Sequence, residues 1–267
     1  MTRVLSAVVA LPPLILLVRY GKPLHFSFLV SAAAAAGTWE ILRLAKFPGG
    51  ALSLGFGCAA GAALAFGGHL SPPPAAPLAV WTVLLVSFSA SVWLPPGAKL
   101  APRGIAGGIA GILFVGATFA SLALLRNWGE GAEGWRWVFF LWLVVWGGDT
   151  GAYYGGRSWG RRPLSPRLSP KKTVEGAVAG LAASVAGGTL ARLWFLPGPG
   201  WLETTVAAVL LGAAGQVGDL AESALKRAAG VKDAGAVIPG HGGILDRLDS
   251  LTFAGPVLYV FLLWGFP

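Results

Sequence analysis

Residues Trp201–Arg227 read WLETTVAAVLLGAAGQVGDLAESALKR, an apolar run of small and aliphatic residues that ends among Asp219, Glu222, Lys226 and Arg227. A helix that crosses a bilayer needs about 20 mostly apolar residues, and this stretch supplies them. Asp219, Glu222, Ser223 and Lys226 fall at i, i+3, i+4 and i+7, so they share one helical face. Asp219 follows Val206–Leu211 and Gly218, which puts it below the lipid headgroups. An ionisable side chain at that depth is costly and points to function. Glu222 has a second reading, as the i, i+4 partner of Lys226, whereas Asp219 has no base four residues on.

Stretches of the same character recur along the chain at Val4–Val18, Leu24–Leu42, Ala51–Leu70, Ala75–Leu94, Gly104–Leu125, Trp135–Tyr154, Val174–Leu196 and Ser250–Phe266. With Trp201–Arg227 they predict an all-α, polytopic membrane bundle of about nine transmembrane helices, forming one domain over 1–267. Pro12-Pro13 should kink the first, and Pro72-Pro73-Pro74 and Pro95-Pro96 mark connections. No internal repeat is visible. Composition agrees: 55% of the 267 residues are hydrophobic and 12% charged, with a mean hydropathy of +0.69. Soluble domains carry about 25% charge, too much more for a water-soluble surface to be built here. The 40 glycines suit close helix packing in lipid and the 12 tryptophans suit its interfaces. Cys58, the sole cysteine, excludes an internal disulfide and reads as a small packing residue. The first span shows no cleavage site and is expected to be retained.

The net charge of +9 argues for basic membrane-flanking loops rather than for nucleic acid, because only the former also explains the hydrophobicity. With the segments around 157–172 and 226–247 in the cytoplasm and the spans alternating, fifteen of the twenty lysines and arginines lie inside. That bias predicts a multi-pass membrane protein with a cytoplasmic N-terminus and a C-terminus on the far side.

Seven of the eleven acidic residues fall in two regions that this topology brings to one membrane face: Asp149 and Glu175, then Asp219, Glu222, Asp233, Asp246 and Asp249. Between Pro239 and Asp249 the glycines of Gly240-His241-Gly242-Gly243 let backbone amides approach an anion, and Asp246 and Asp249 offer oxygen ligands to a hard cation. Arg247 supplies a planar fork for phosphate. Either aspartate also reads as a helix cap, the reading that suits Asp249 better, and His241 reads either as a base or as a loop hydrogen-bonder. In Ser169-Pro170-Lys171-Lys172-Thr173-Val174-Glu175-Gly176, Ser-Pro reads as a helix opening, and Lys172 and Thr173 there make an anion site. Arg161, Arg162 and Arg167 read as lipid-headgroup contacts. Asp149 follows an apolar run and precedes Tyr153 and Tyr154, which read as interfacial anchors. Carboxylates for a cation and bases for phosphates are the equipment of magnesium-assisted phosphoryl or nucleotidyl transfer.

The run Ser223-x-Leu225-Lys226-Arg227-x4-Lys232-Asp233-x-Gly235-x2-Ile238-Pro239-x-His241-Gly242-Gly243-Ile244-x-Asp246-Arg247-Leu248-Asp249 resembles the signature of the phosphatidate cytidylyltransferase family. Asp149–Tyr153 and Ser169–Gly176 resemble that family too, in the same order, so the resemblance covers the C-terminal half. Residues 135–267 are then the catalytic helices, and 1–125 are helices without diagnostic motifs. The resemblance implies a multi-pass enzyme of a bacterial-type inner membrane, its active site facing the cytoplasm, that uses Mg²⁺, with a second cation as an option, to join CTP to phosphatidic acid. Asp219 and Asp246 would hold the metal, with Glu222 and Asp249 as further candidates. Lys172, Lys226 and Arg247 would neutralise the leaving pyrophosphate and His241 would position. Asp149, Lys171, Lys172, Thr173, Glu175, Ser223, Arg227, Gly242 and Gly243 would bind CTP and its phosphates. A homodimer is expected by analogy. A CDP-alcohol phosphotransferase would carry an Asp-rich motif on one helix, and an ion-coupled transporter would show inverted repeats; neither is present.

Overall fold

A computed structural model describes residues 2–47, 50–70, 101–129, 133–235 and 242–265. They form helices α1 (Thr2–Tyr20), α2 (Pro23–Leu44), α3 (Gly50–Leu70), α4 (Ala101–Arg126), α5 (Trp135–Trp159), α6 (Val174–Trp194), α7 (Trp201–Ala228) and α8 (Leu245–Leu263). Between α5 and α6 lies a hairpin of β1 (Pro163–Ser165) and β2 (Ser169–Thr173). Helix α1 runs through Pro12 and Pro13.

Among the described residues, Ala106–Arg126, Val174–Trp194 and Trp201–Ala228 are long and apolar enough to cross a membrane, and Leu11–Tyr20 and Leu54–Leu70 are shorter apolar helices. The expected span at Ala75–Leu94 lies outside the described residues. The architecture is therefore helical with membrane-type helices, but it is not wholly α, and the hairpin corrects the expectation that Ser169-Pro170 opens a helix. Antiparallel pairing of Pro163 with Thr173 and Ser165 with Ser169 takes these residues instead. Proline is tolerated in such a ribbon because both strands are edges. The helix starts at Val174, and Thr173, in extended conformation, caps it: its Oγ1 accepts the Gly176 N–H at 3.1 Å.

The chain divides into two compact units, crossing between them at Trp135, Leu225 and Asp249. The first unit comprises residues up to Trp135 with 225–248. In it α2, α3 and α4 pack through glycines. A Cβ at Gly111 would meet Ile41 at 2.8 Å, one at Gly116 would meet Leu64 at 2.7 Å, and one at Gly61 would collide with the Thr38 hydroxyl. Leu42, Val115, Phe119 and Leu125 fill the core beneath. The buried Arg126 guanidinium donates to the Gly21 carbonyl at 2.7 Å and so ties the end of α4 to the α1–α2 turn.

The second unit holds 136–224 and the chain from Asp249. Its seam is again made of small residues: Gly148, Gly151 and Gly155 of α5 lie against Ser184, Ala183 and Ala179 of α6, with no room for a side chain at any of the three glycines. Small residues let backbones approach where lipid gives no hydrophobic drive to associate. The Ser184 hydroxyl donates across this seam to the Val144 carbonyl at 3.0 Å, and the Gln216 amide of α7 donates to the Ala177 carbonyl at 2.9 Å. Val178, Leu193, Leu202 and Val217 point outward and exposed while Ser184 and Thr204 are buried, an inverted arrangement that suits an apolar solvent.

Candidate active site

In the second unit, polar side chains from four segments gather where the apolar runs end. Asp149 lies just past the middle of α5, after the aromatic run that begins at Trp135; its Oδ1 accepts the Ser250 hydroxyl of α8 at 3.3 Å. Asp219, on α7, is ion-paired with Lys172 of β2. Both partners of that pair are about a third exposed, so it lies within reach of water and of solutes. Asp149 interacts electrostatically with both Asp219 and Lys172. The hairpin is what delivers Lys172: the backbone leading into β1 is anchored by Glu175 in the first turn of α6, which accepts the Arg161 and Arg162 N–H groups at 3.0 and 3.2 Å. Two carboxylates and one ammonium that feel one another's charge make a site whose balance changes with whatever cation or anion arrives.

The first unit holds a second lysine–carboxylate pair, at the start of α8. Lys226 Nζ donates to Asp246 Oδ1 at 2.6 Å, and the Ala234 and Gly243 N–H groups both donate to Asp246 Oδ2 at 2.9 Å. Burial works to raise the pKa of this carboxyl. The Lys226 ammonium and the two amides outweigh it and hold the carboxyl below its ordinary value. Gly242 adopts φ +83°, open to glycine at little cost, and this conformation brings the Gly243 amide round to the carboxylate. Behind them Glu40 of α2, fully buried, accepts the Ile244 N–H at 2.9 Å and the Leu245 N–H at 3.0 Å.

The sequence-predicted residues sort as follows. Lys172, Asp219 and Asp149 are brought together in one unit, and Lys226, Asp246, Gly242 and Gly243 in the other. Lys226 pairs with Asp246, twenty residues on, and Glu222 of its own helix is buried. Thr173 and Glu175 hold the hairpin and the start of α6. Lys171 and Arg247 are exposed, Ser223 is half-buried, and Arg227 donates to the Val231 carbonyl at 3.2 Å. Asp249 accepts the N–H of its neighbour Ser250 at 2.8 Å. His241 lies outside the described residues. Among the described residues no three His, Cys, Asp or Glu side chains cluster as a metal site. Sequence reasoning missed Glu40, Ser250 and Gln216. The rule that singled out Asp219, an acid inside an apolar helix, applies equally to Glu40 and would have found it.

Long apolar helices closed on small-residue seams, carrying lysine–carboxylate pairs where the apolar runs end, define a helical membrane protein equipped to meet an anionic ligand. The chain belongs to the Cytidylyltransferase family, whose profile matches residues 1–264. It is similar to the phosphatidate cytidylyltransferase of Brucella suis biovar 1 (strain 1330), 49% identical over 153 residues, 57% of this chain and 55% of that protein. It is also similar to the phosphatidate cytidylyltransferase of Bacillus subtilis (strain 168), 42% identical over 151 residues, 56% of this chain and 55% of that one. The protein of that name from Staphylococcus saprophyticus is 42% identical over 152 residues, 57% of this chain and 56% of its own. The matched stretch thus spans about half the length of these curated relatives.

Proposed function

We propose that this chain transfers the cytidylyl group of CTP to phosphatidic acid, giving CDP-diacylglycerol and pyrophosphate. A phosphate oxygen of phosphatidic acid attacks the α-phosphorus of CTP. The bond from that phosphorus to the bridging oxygen of the β-phosphate breaks, and pyrophosphate leaves. The observation that carries the reading is the presence of two lysine–carboxylate pairs, Lys172–Asp219 and Lys226–Asp246, in a chain of the Cytidylyltransferase family. A phosphate group can compete with either carboxylate for its lysine, so each pair, within its own unit, offers a preorganised cation to an anionic ligand. Phosphatidic acid is already anionic at neutral pH, so the reaction requires positioning more than a strong base.

The donors available fit magnesium, which takes one or two carboxylates and completes its shell with water and phosphate oxygens. Asp219 and Asp246 are the proposed ligands, with Glu222 and Asp249 as further candidates. Bound there, Mg²⁺ would supply charge neutralisation on the triphosphate. Arg247, exposed at the start of α8, adds a fork suited to a phosphate. The apolar, outward faces of α6 and α7 keep the acyl tails of the lipid substrate in the bilayer while CTP arrives from water.

We keep nine crossings and a cytoplasmic N-terminus as part of this proposal; cysteine-accessibility labelling of the loops tests it, and a site labelled only from the wrong face refutes it. The activity is tested with membranes containing the protein, labelled CTP, phosphatidic acid and Mg²⁺. Labelled CDP-diacylglycerol is the expected product. Uptake of label without product would identify a transporter instead.

A further inference from the structure

Helix α2 belongs to the part of the chain without diagnostic motifs, yet it carries Glu40, whose carboxylate bonds at Ile244 and Leu245. Both its oxygens are taken by backbone N–H groups at the start of α8, Oε1 by Ile244 and Oε2 by Leu245. These are orphan donors of a helix N-terminus, which ordinarily bond to a cap from their own chain segment. Here the cap comes from more than 200 residues away in sequence. The fit around it is close. A Cβ built at Gly243 would lie 2.5 Å from Glu40 Oε2, and one at Gly235 would lie 2.6 Å from Oε1. So the two glycines that flank the Asp246 contacts both rest against the same carboxylate. Gly243 N–H and Ala234 N–H, the two amides that hold Asp246 Oδ2, belong respectively to a glycine on Glu40 and to the neighbour of the other.

We infer that Glu40 is a positioning residue for the Lys226–Asp246 pair. It pins the first turn of α8 and the backbone around Gly235, and thereby sets the direction in which Asp246 presents its second oxygen. The inference rests on the proposed cytidylyl transfer, since it assigns Glu40 an effect on that turnover. A carboxylate accepting two amides with full burial orients its partners rigidly, because every alternative leaves a charge or two donors without a bond. Misplacement of a reacting group by about 1 Å is enough to cost roughly a hundredfold in rate.

The test uses Glu40→Gln in the full-length protein, reconstituted in bilayers. Glutamine keeps the volume but turns an NH₂ donor towards one of two N–H groups. Hydrogen exchange is read on the peptide containing Ile244 and Leu245 in protein without nucleotide or metal. Turnover is then read at saturating CTP, with KM measured alongside. Leu122→Ala, in the buried core of α4, provides a variant of lowered melting temperature with no contact to Asp246. The expected result is exchange faster by about tenfold or more at Ile244 and Leu245 with α4 still protected, a kcat lower by about tenfold to a hundredfold, and KM for CTP within about twofold of the parent. Leu122→Ala should lose melting temperature while keeping kcat. Unchanged exchange or unchanged kcat in Glu40→Gln overturns the inference. So does a rise in exchange across the whole first unit, or an equal loss of kcat in Leu122→Ala, since either makes Glu40 an ordinary stabilising residue. If the parent protein makes no CDP-diacylglycerol at all, the proposed function fails, and that outcome is recognised before any variant is compared.

Discussion

Breaking the Lys226–Asp246 pair should be severe from either side and far less than additive from both. The Lys226 side chain is 14% exposed and that of Asp246 is 7%, so neither charge can recover its hydration when the other is removed. Removing one partner of such a pair costs about 3–5 kcal/mol, chiefly through the stranded charge. The two cases differ in a way the geometry sets. Lys226→Met strands a carboxylate that still accepts the Ala234 and Gly243 amides at 2.9 Å, so its cost falls at the lower end, about 3 kcal/mol. Asp246→Asn strands an ammonium and also turns a donor against at least one of those contacts, so its cost falls at the upper end. The double variant leaves no buried charge at the pair, and the coupling energy should reach about 2–3 kcal/mol. Chemical denaturation of the four proteins in mixed micelles, followed by tryptophan fluorescence, measures the cycle. Additivity within about 0.5 kcal/mol would show that the two charges do not stabilise one another in the folded protein.

Asp219→Asn should abolish formation of CDP-diacylglycerol while the protein still inserts and melts as the parent does, which a turnover assay beside a melting curve will show; near-normal activity refutes its metal assignment. Gly151→Leu places a side chain where Ala183 already sits. It should destabilise the second unit by about 1–3 kcal/mol, the usual cost of overpacking, and lower the yield of folded protein on size-exclusion chromatography. Arg161→Gln and Arg162→Gln should leave turnover within about twofold of the parent, because the exposed pair of the Arg162 side chain with Glu175 contributes little and Glu175 is held by the backbone N–H groups of both residues. A large loss from either would assign its guanidinium to substrate.

What was legible in the sequence is what rests on periodicity and on the cost of charge in an apolar run. The shared face of Asp219, Glu222, Ser223 and Lys226 follows from helical spacing alone, and α7 starts at Trp201 as expected. The partner of Lys226 was not legible. Spacing offers Glu222 one turn back, whereas the bond is made to Asp246 twenty residues on, across a loop whose path no local rule fixes. The hairpin was misread because Ser-Pro suits a helix start and an extended edge equally. Pairing with Pro163–Ser165 decides between them, and pairing is a property of two segments. Glu40 was legible as an acid in an apolar run, but its partners were not, because they are main-chain amides, which every residue but proline carries.

The partners an acid receives separate those that hold the fold from those that can take part in chemistry. Backbone N–H groups cannot leave without unmaking the turn they belong to, so an acid satisfied by them alone is committed to structure, as Glu40 is at Ile244 and Leu245. A lysine can exchange its carboxylate for a phosphate by rotating a flexible stem, and the freed carboxylate can then turn to another cation. Asp219, paired with Lys172 within reach of water, is of this second kind. Asp246 is of both kinds at once: one oxygen is fixed by Gly243 and Ala234, the other is held by Lys226. An acid with one edge anchored and one edge exchangeable keeps its aim while it changes partner. The cation role proposed for Asp246 would draw on that combination, since an oxygen offered to a metal must keep its direction while its lysine moves away.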